Sequence, residues 1–497
     1  MSTVSQQDIH DKRRAIEEAI GRSDFERAIE LCNEVIATTP SAGWAYQVRA
    51  DALEKLGRYE SSEADYTAAI EHYPDPYLSL MSRGYVRKKM RKFDLAVADF
   101  SRAAELKPAA SWPLLARGRL RWERGDLVGA HDDLARAVEL EPQDAWAHRE
   151  LGAQEEALGN LEAALAHTTR AIEIDPKSYV AYIQRADIYE RMGKKDLALT
   201  DLAEAIKLDP GKVWGYVSRA GIYQRAGELE LAMAELGRAI ESDPADGWPY
   251  VVRAKIEQEQ GKPQLALADL TKAIEVDPAY ARSYRDRAYL NHVSGREELA
   301  LKDITRALEL QPENGWSYAL RGAVQKELGN HGLARTDLDK SIELGYAPAL
   351  LTRSQVFLKA GNYPAALEDA NRAVAALGTS EAYANRAECL RAAGQLEEAI
   401  ADASEALRLD PRNAVAYAVR GACAVQSRRF SEALTDLDES LLISPRYPFA
   451  LAMRGWAYLG LGEKYRAADD ILTAVSMDPS LVSLKEQLKS ALVEPGS

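Results

Sequence analysis

The sequence predicts an all-α fold, an array of stacked helical hairpins, on three observations. First, prolines recur every 34 residues at Pro40, Pro74, Pro108, Pro142, Pro176, Pro210, Pro244, Pro278 and Pro312, and the spacing resumes at Pro411, Pro445 and Pro479. A fixed period of this length marks supersecondary units that stack on their neighbours, and it outweighs the several ordinary domains that 497 residues would otherwise suggest. Second, apolar residues between the prolines recur at helical spacing. Third, no strand pattern interrupts them.

Composition narrows the function classes. The chain is 46% hydrophobic and 28% charged, as a folded soluble protein is. No uncharged apolar run approaches the ~20 residues that span a bilayer, and Met1 to Ala15 lacks the apolar core of a signal peptide. Three cysteines exclude a disulfide scaffold and fit a reducing compartment, so a cytoplasmic location is expected. The net charge of −14, from 63 basic and 77 acidic residues, argues against nucleic acid or an anionic membrane as partner.

The repeating unit, exemplified by GWAYQVRADALEKLGRYESSEADYTAAIEHYP from Gly43, resembles the tetratricopeptide repeat, with the closing proline as position 32. Fourteen units begin at Ile9, Gly43, Tyr77, Ser111, Ala145, Tyr179, Val213, Gly247, Ala281, Gly315, Ala347, Ser380, Ala414 and Pro448. The resemblance implies a right-handed α-solenoid of helix-turn-helix hairpins. The expected organisation is a tail over 1–8, repeats 1–10 over 9–346, repeats 11–14 over 347–481, and a capping helix and tail over 482–497.

Each marker has a physical reason. Position 20 is Ala in 13 of the 14 repeats, and position 8 is Gly, Ala or Ser in 13. Small residues at both places let the two helices of a hairpin approach closely, and a Leu there would overpack the crossing by ~1–3 kcal/mol. Position 15 is Gly in 11 repeats, as a left-handed helix C-cap requires. The proline stops the second helix.

Position 7 departs from the family habit of leucine. Twelve repeats carry Arg there: Arg49, Arg83, Arg117, Arg185, Arg219, Arg253, Arg287, Arg321, Arg353, Arg386, Arg420 and Arg454. An acid follows each at position 23, from Asp65 to Asp470. The two repeats without the Arg, at Ala15 and Leu151, also lack the acid and have Leu31 and His167 instead. Positions 7 and 23 lie equally far from the turn, so an ion pair across each hairpin is expected. The period breaks over one stretch, first at Tyr346 and then near Gly378, which predicts a local kink around 344–348 and a second irregularity near 376–380. Beyond Pro479, Leu481, Leu484, Leu488, Ala491 and Leu492 form the apolar stripe of a cap.

No catalytic signature is present. Gly460-Leu461-Gly462 lies between two helices and is a turn rather than a phosphate loop. The seven histidines have no metal-ligand spacing. Cys389 and Cys423 fill the same core slot of adjacent repeats. The expectation is therefore no enzyme, no cofactor and no metal.

By resemblance, positions 2, 5, 9, 12 and 13 of the first helices line the concave groove, and all eight tryptophans fall there. Trp44, Trp112, Trp146, Trp214, Trp248 and Trp316 occupy position 2, Trp122 position 12 and Trp456 position 9. Two readings of the position-2 rings stand side by side, a partner anchor or packing against the preceding repeat. Groove positions carry 14 basic and 11 acidic residues, a mildly basic trough in an acidic shell. Arg119, Arg149, Arg225, Lys255, Arg282 and Arg285 join the tryptophans as the expected groove. Val415, Val425, Phe449, Trp456 and Leu459 form an uncharged patch in the last two repeats, expected to take a partner helix or a second copy. The carboxylate-clamp variety of the family is not matched, because no repeat has Asn at position 9. The function expected is a non-catalytic scaffold that binds a polypeptide segment of another protein along this groove. The alternative is a regulatory subunit that wraps a partner enzyme.

Overall fold

The computed structural model describes residues 6–478 and 481–493. Among the described residues there are 29 helices and no strand, so the all-α expectation holds. The chain forms two compact bodies, Met1–Asp243 and Pro244–Ser497, divided at the junction of repeats 7 and 8. In each body the two helices of every repeat pack against each other, and the second helix packs on the first helix of the next repeat. The first helix begins at Gln6, inside the stretch read from sequence as a tail.

The small positions do what the spacing required. An added methyl at Gly84 would stand 2.5 Å from the Phe100 ring, and one at Gly322 would stand 2.7 Å from Leu338. Position 20 alanines such as Ala96, Ala130 and Ala334 are fully buried at the same crossing. Repeat 1 reverses the size order. Ile16 occupies position 8 and is buried, and Cys32 replaces the large residue that normally faces it.

Position 15 is left-handed in all fourteen repeats, including the three without glycine. Ser23, Arg91 and Arg428 have φ of 59°, 60° and 58°. The cap bonds explain the demand: Gly57 N donates to Glu54 O, and Arg58 N donates to Leu53 O, both at 2.9 Å. The pattern of closing bonds is set by the hairpin, so a side chain at this place must accept the strain.

All twelve Arg–acid pairs form. In eleven, Nε and Nη2 grip the two carboxylate oxygens at 2.5–3.1 Å. Arg219 meets Glu235 through Nη2 alone, and its Nε is buried without an acceptor. The bond to the carboxylate raises the guanidinium pKa above its ordinary value, as at Arg287 beside Asp303. In nine of the twelve the remaining nitrogen, Nη1, reaches back to position 25 of the preceding repeat. It meets Asn33, Thr67, Ser101, Thr169, Thr271, Asp339, Asn371, Ser404 or Asp438 at 2.5–3.5 Å. One guanidinium thus closes its own hairpin and ties it to its neighbour. Where a tyrosine stands three residues earlier, as at Tyr46, Tyr182 and Tyr417, the same group also lies over that ring at 5.5–5.7 Å.

Repeat 5, which lacks the pair, places His148 Nδ1 3.2 Å from His167 Nδ1, and His148 Nε2 lies 3.3 Å from Pro142 O. Burial, then the neighbouring His148, holds the His167 pKa below its ordinary 6.5; Glu155 opposes this and His131 adds to it.

The irregular junctions differ from the others. Regular second helices end in an extended cap followed by proline. His331–Glu343 instead passes through Gly345 at φ 81°, and Tyr363–Leu377 ends at Gly378 at φ 59°. The first helix between them, Ala349–Lys359, is short at 11 residues. At the C-terminus, the helix Val482–Val493 follows the last repeat, and Leu481 and Leu484 pack against the apolar core of repeats 13 and 14. Pro479 and the side chains of Leu488, Ala491 and Leu492 lie outside the described residues.

Three outcomes test this account. Arg428→Gly should stabilise the chain by about 1 kcal/mol in chemical denaturation, since glycine removes the left-handed strain. Arg287→Ala should cost about 3 kcal/mol, the low end for a buried pair because the guanidinium is partly solvated. It should also speed amide exchange in repeats 8 and 9, where Thr271 loses its tie. Stability should fall as pH drops below 6.5, because the unfolded imidazole of position 167 takes up a proton that the folded one resists. His167→Leu, the residue type repeat 1 uses at Leu31, should flatten that slope in pH-dependent melting.

Candidate functional site

Position 2 lies in the opening turn of each first helix, where the chain emerges from the preceding proline loop. Several of the rings placed there pack on the repeat before them. Trp44 packs beside Ala15 and Ile36 of repeat 1, and Trp316 beside Tyr284 and Leu301 of repeat 9. Exposure varies: Trp214 is 55% and Trp112 40% exposed, while Trp44, Trp122, Trp146, Trp248, Trp316 and Trp456 are half-buried. Packing against the preceding repeat is therefore part of what Trp44 and Trp316 do. Polar partners fix several of them. The Trp112 indole donates to Tyr85 Oη at 3.0 Å, and Trp146 donates to Glu150 at 3.0 Å, a carboxylate that Arg149 also reaches at 2.9 Å. Arg13 lies over Trp44 at 5.3 Å and Arg285 over Trp316 at 5.6 Å.

Not all groove positions face outward. Position 5 supplies core in several repeats, with Met81, Leu115 and Val217 buried. The helix turn carries this position toward the hairpin partner, so its apolar identity serves packing.

The basic residues of the N-terminal body are mostly spoken for. Lys89 pairs with Glu54 at 2.7 Å, Lys88 with Glu123 at 2.7 Å, Arg191 with Glu156 at 3.2 Å and Arg119 with Glu123 at 3.5 Å. Arg225 grips Glu190 with two nitrogens. Four of these five pairs link positions 12 and 13 of neighbouring repeats and form a charge ladder along the first helices. Exposed pairs of this kind contribute only ~0–1 kcal/mol each, but they cancel local field. The net excess of cations counted from sequence is therefore not a free basic strip here. Asp187 lies among Glu156, Glu190 and Arg225, and burial followed by the two glutamates pushes its carboxyl up to about 7.

A cavity of about 360 Å³ is lined by Val251, Lys255, Gln258 and Leu270 of repeat 8, Arg282, Asp286 and Tyr289 of repeat 9, and Trp316 of repeat 10. Arg282 Nε stands 3.3 Å from Asp286, and Arg285 Nε 3.9 Å from it. Burial raises the Asp286 pKa, against the pull of Arg282, Arg285 and Lys255. Lys255 is exposed and has no ion pair among the described residues. Three expected groove residues, Lys255, Arg282 and Trp316, meet in this one cavity. Asp286 was not singled out from sequence; its signal is the four-residue spacing from Arg282, which places both on one helix face.

A second cavity, also about 360 Å³, lies between the first helices of repeats 11–14. Leu351, Leu358, Val419, Tyr447 and Phe449 give it apolar walls, Val415 stands at its edge 43% exposed, and Asn385, Asn413, Glu381 and Glu388 add polar groups. Arg391 bonds Glu388 at 2.7 Å and lies over Phe449 at 5.3 Å, so the patch that reads as uncharged borders an ion pair from repeat 12. Val425 packs against the core of the last repeats, and Trp456 and Leu459 are half-buried away from the lining. Tyr447, which sequence reasoning missed because it precedes the helix, is buried enough that its hydroxyl pKa is pushed up to about 12.

Among the described residues no three His, Cys, Asp or Glu side chains converge to hold a metal. Cys32, Cys389 and Cys423 are buried free thiols whose pKa values burial pushes up to about 12, about 12 and about 11. No helix among the described residues is long and apolar enough to cross a membrane.

Comparison with known proteins agrees with the repeat. Three family models described as tetratricopeptide repeat match, one over 48–111, 115–179 and 251–315, one over 179–212 and 215–246, and one over 380–413. Together they cover more than half of the chain. A curated relative, the SGT1 homolog of Oryza sativa subsp. japonica, is 36% identical over 88 residues, which is 18% of this chain and 22% of that protein. The match spans about a fifth of that relative's length. Similar solved structures include the APC/C hetero-tetramer Cut9-Hcn1, at TM-score 0.44 and 16% identity over 92% of this chain and 97% of that one. Yeast Tom70 aligns at TM-score 0.39 and 17% identity, over 90% and 99%. A tetratricopeptide repeat protein from Parabacteroides merdae aligns at TM-score 0.41 and 22% identity, over 50% and 98%.

Proposed function

Because the chain belongs to the tetratricopeptide repeat family, we propose that it is a non-catalytic protein–protein interaction scaffold. It holds a polypeptide segment of another protein against the tryptophan-bearing face of its first helices. The observation that carries this reading is the state of the indoles. Each buries one side in the array and none is fully covered, with Trp112 and Trp214 presenting 40% and 55% of their surface. A rigid ring already ordered by its neighbours loses little entropy when a partner covers it, and indole burial dominates many interfaces. Ion pairs along the ladder would set register and orientation rather than affinity.

The test uses the two most exposed rings. A Trp112→Ala, Trp214→Ala double variant should lose capture of partners from the native lysate by roughly tenfold or more. Its melting temperature should stay close to that of the parent. Capture at parental strength, in a variant that melts normally, would sink the reading and leave the wrapping mode, in which acidic residues on the second helices carry the contact.

A further inference from the structure

The two cavities of the C-terminal body lie on one succession of first helices and differ in chemistry. The first, centred on repeat 9, presents Lys255 and Arg282, with Arg285 beside them over Trp316, against one acid, Asp286. Lys255 has no ion pair among the described residues, in contrast to the laddered lysines and arginines of the N-terminal body. An ammonium at the mouth of a cavity, next to an aryl wall and apolar Val251, can exchange its water for a charge-assisted bond to a carboxylate. The second, centred on repeat 12, is walled by Leu351, Leu358, Val419 and Phe449. Glu381 edges it with no ion pair among the described residues and would repel an anion, whereas Glu388 is held by Arg391. Between the two, Lys326 Nζ of repeat 10 bonds Gln355 Oε1 of repeat 11 at 2.9 Å, and Gln355 itself lines the second cavity. That bond ties repeat 10, which gives Trp316 to the first cavity, to the lining of the second.

We propose that this face takes one extended segment of a partner protein, with an acidic side chain seated in the first cavity and an aromatic or branched apolar side chain in the second. The inference rests on the scaffold reading above and specifies what the C-terminal body recognises. Charge sets the direction: the acid is drawn to Lys255 and Arg282 and turned away by Glu381. Three repeats separate the cavity centres. With helix axes about 10 Å apart and an extended chain advancing about 3.3 Å per residue, the two anchors lie roughly eight to nine residues apart. The site favours a carboxylate over a phosphate, because Asp286 inside the cavity opposes a dianion more than a monoanion.

The experiment selects random displayed peptides, long enough to span both cavities, against the full chain. The expected result is enrichment of sequences with an acid followed or preceded, at a fixed long spacing, by an aromatic or branched apolar residue. A synthetic peptide of the enriched type should then bind Lys255→Glu roughly tenfold more weakly, and Asp286→Asn more tightly. Val415→Glu should weaken it through the other anchor. Lys255 and Val415 are exposed, so these variants should melt like the parent, which circular dichroism checks. Enriched peptides without the acid, or peptides whose binding ignores Lys255→Glu, overturn the inference. If their binding depends instead on Trp112 and Trp214, the scaffold reading survives while this one falls. Preference for phosphopeptides over their glutamate counterparts overturns the carboxylate assignment, and an empty selection overturns the preformed site.

Discussion

The guanidinium at position 7 is the interaction on which the architecture turns. A helical hairpin closes tightly only if its crossing residues are small, and small residues contribute little apolar area. The bidentate pair supplies a directional tie at the level of that crossing, half-shielded from solvent, and its third nitrogen continues the tie into the preceding repeat. Charge burial is costly when unpaired and tolerable when every donor is matched. Here the matching is nearly complete, so the same group that would be a liability alone acts as both clasp and staple. The clasp also accounts for the chemistry that is not available: the most numerous buried cations in the chain are already neutralised by their own repeats.

The exceptions show how the constraint can be met otherwise. Repeat 1 exchanges the sizes of Ile16 and Cys32 and leaves positions 7 and 23 apolar. Repeat 5 substitutes an imidazole pair for the salt bridge, which makes its closure the one most sensitive to acid. Repeats 10 and 11 exit through left-handed glycines rather than through proline, and the first helix between them is shortened. Each departure is local, as expected when a repeat contacts only its neighbours.

The same regularity frees the first helices to vary. Their outward positions carry tryptophans at one edge, a charge ladder in the N-terminal body and two chemically distinct cavities in the C-terminal body. The exposed members of this set, among them Lys255, Val415 and Trp214, stand apart from the hairpin crossings. That separation is what permits substitutions at Lys255, Val415 or Trp214 to report on recognition rather than on folding.

Much of this was legible in the sequence, because a repeat compares itself with itself. Period, helix class, the crossing at positions 8 and 20, the left-handed cap and the Arg–acid pairing are all local consequences of residue type at fixed spacing, and each appears in the coordinates where the pattern put it. Ser23, Arg91 and Arg428 even adopt the glycine conformation, since the closing bonds demand it regardless of side chain. The candidate site was less legible. Charge counted along a helix face cannot say which cations are already paired, because the ladder partners stand one repeat away and their rotamers are chosen by packing. Nor can spacing show that Val251 and Leu270 open onto a cavity that Asp286 and Trp316 enter from the next two repeats. Periodicity determines the framework because every unit solves the same local problem. The binding surface is decided only when different units bring their unlike residues together, and that is a property of the tertiary structure alone.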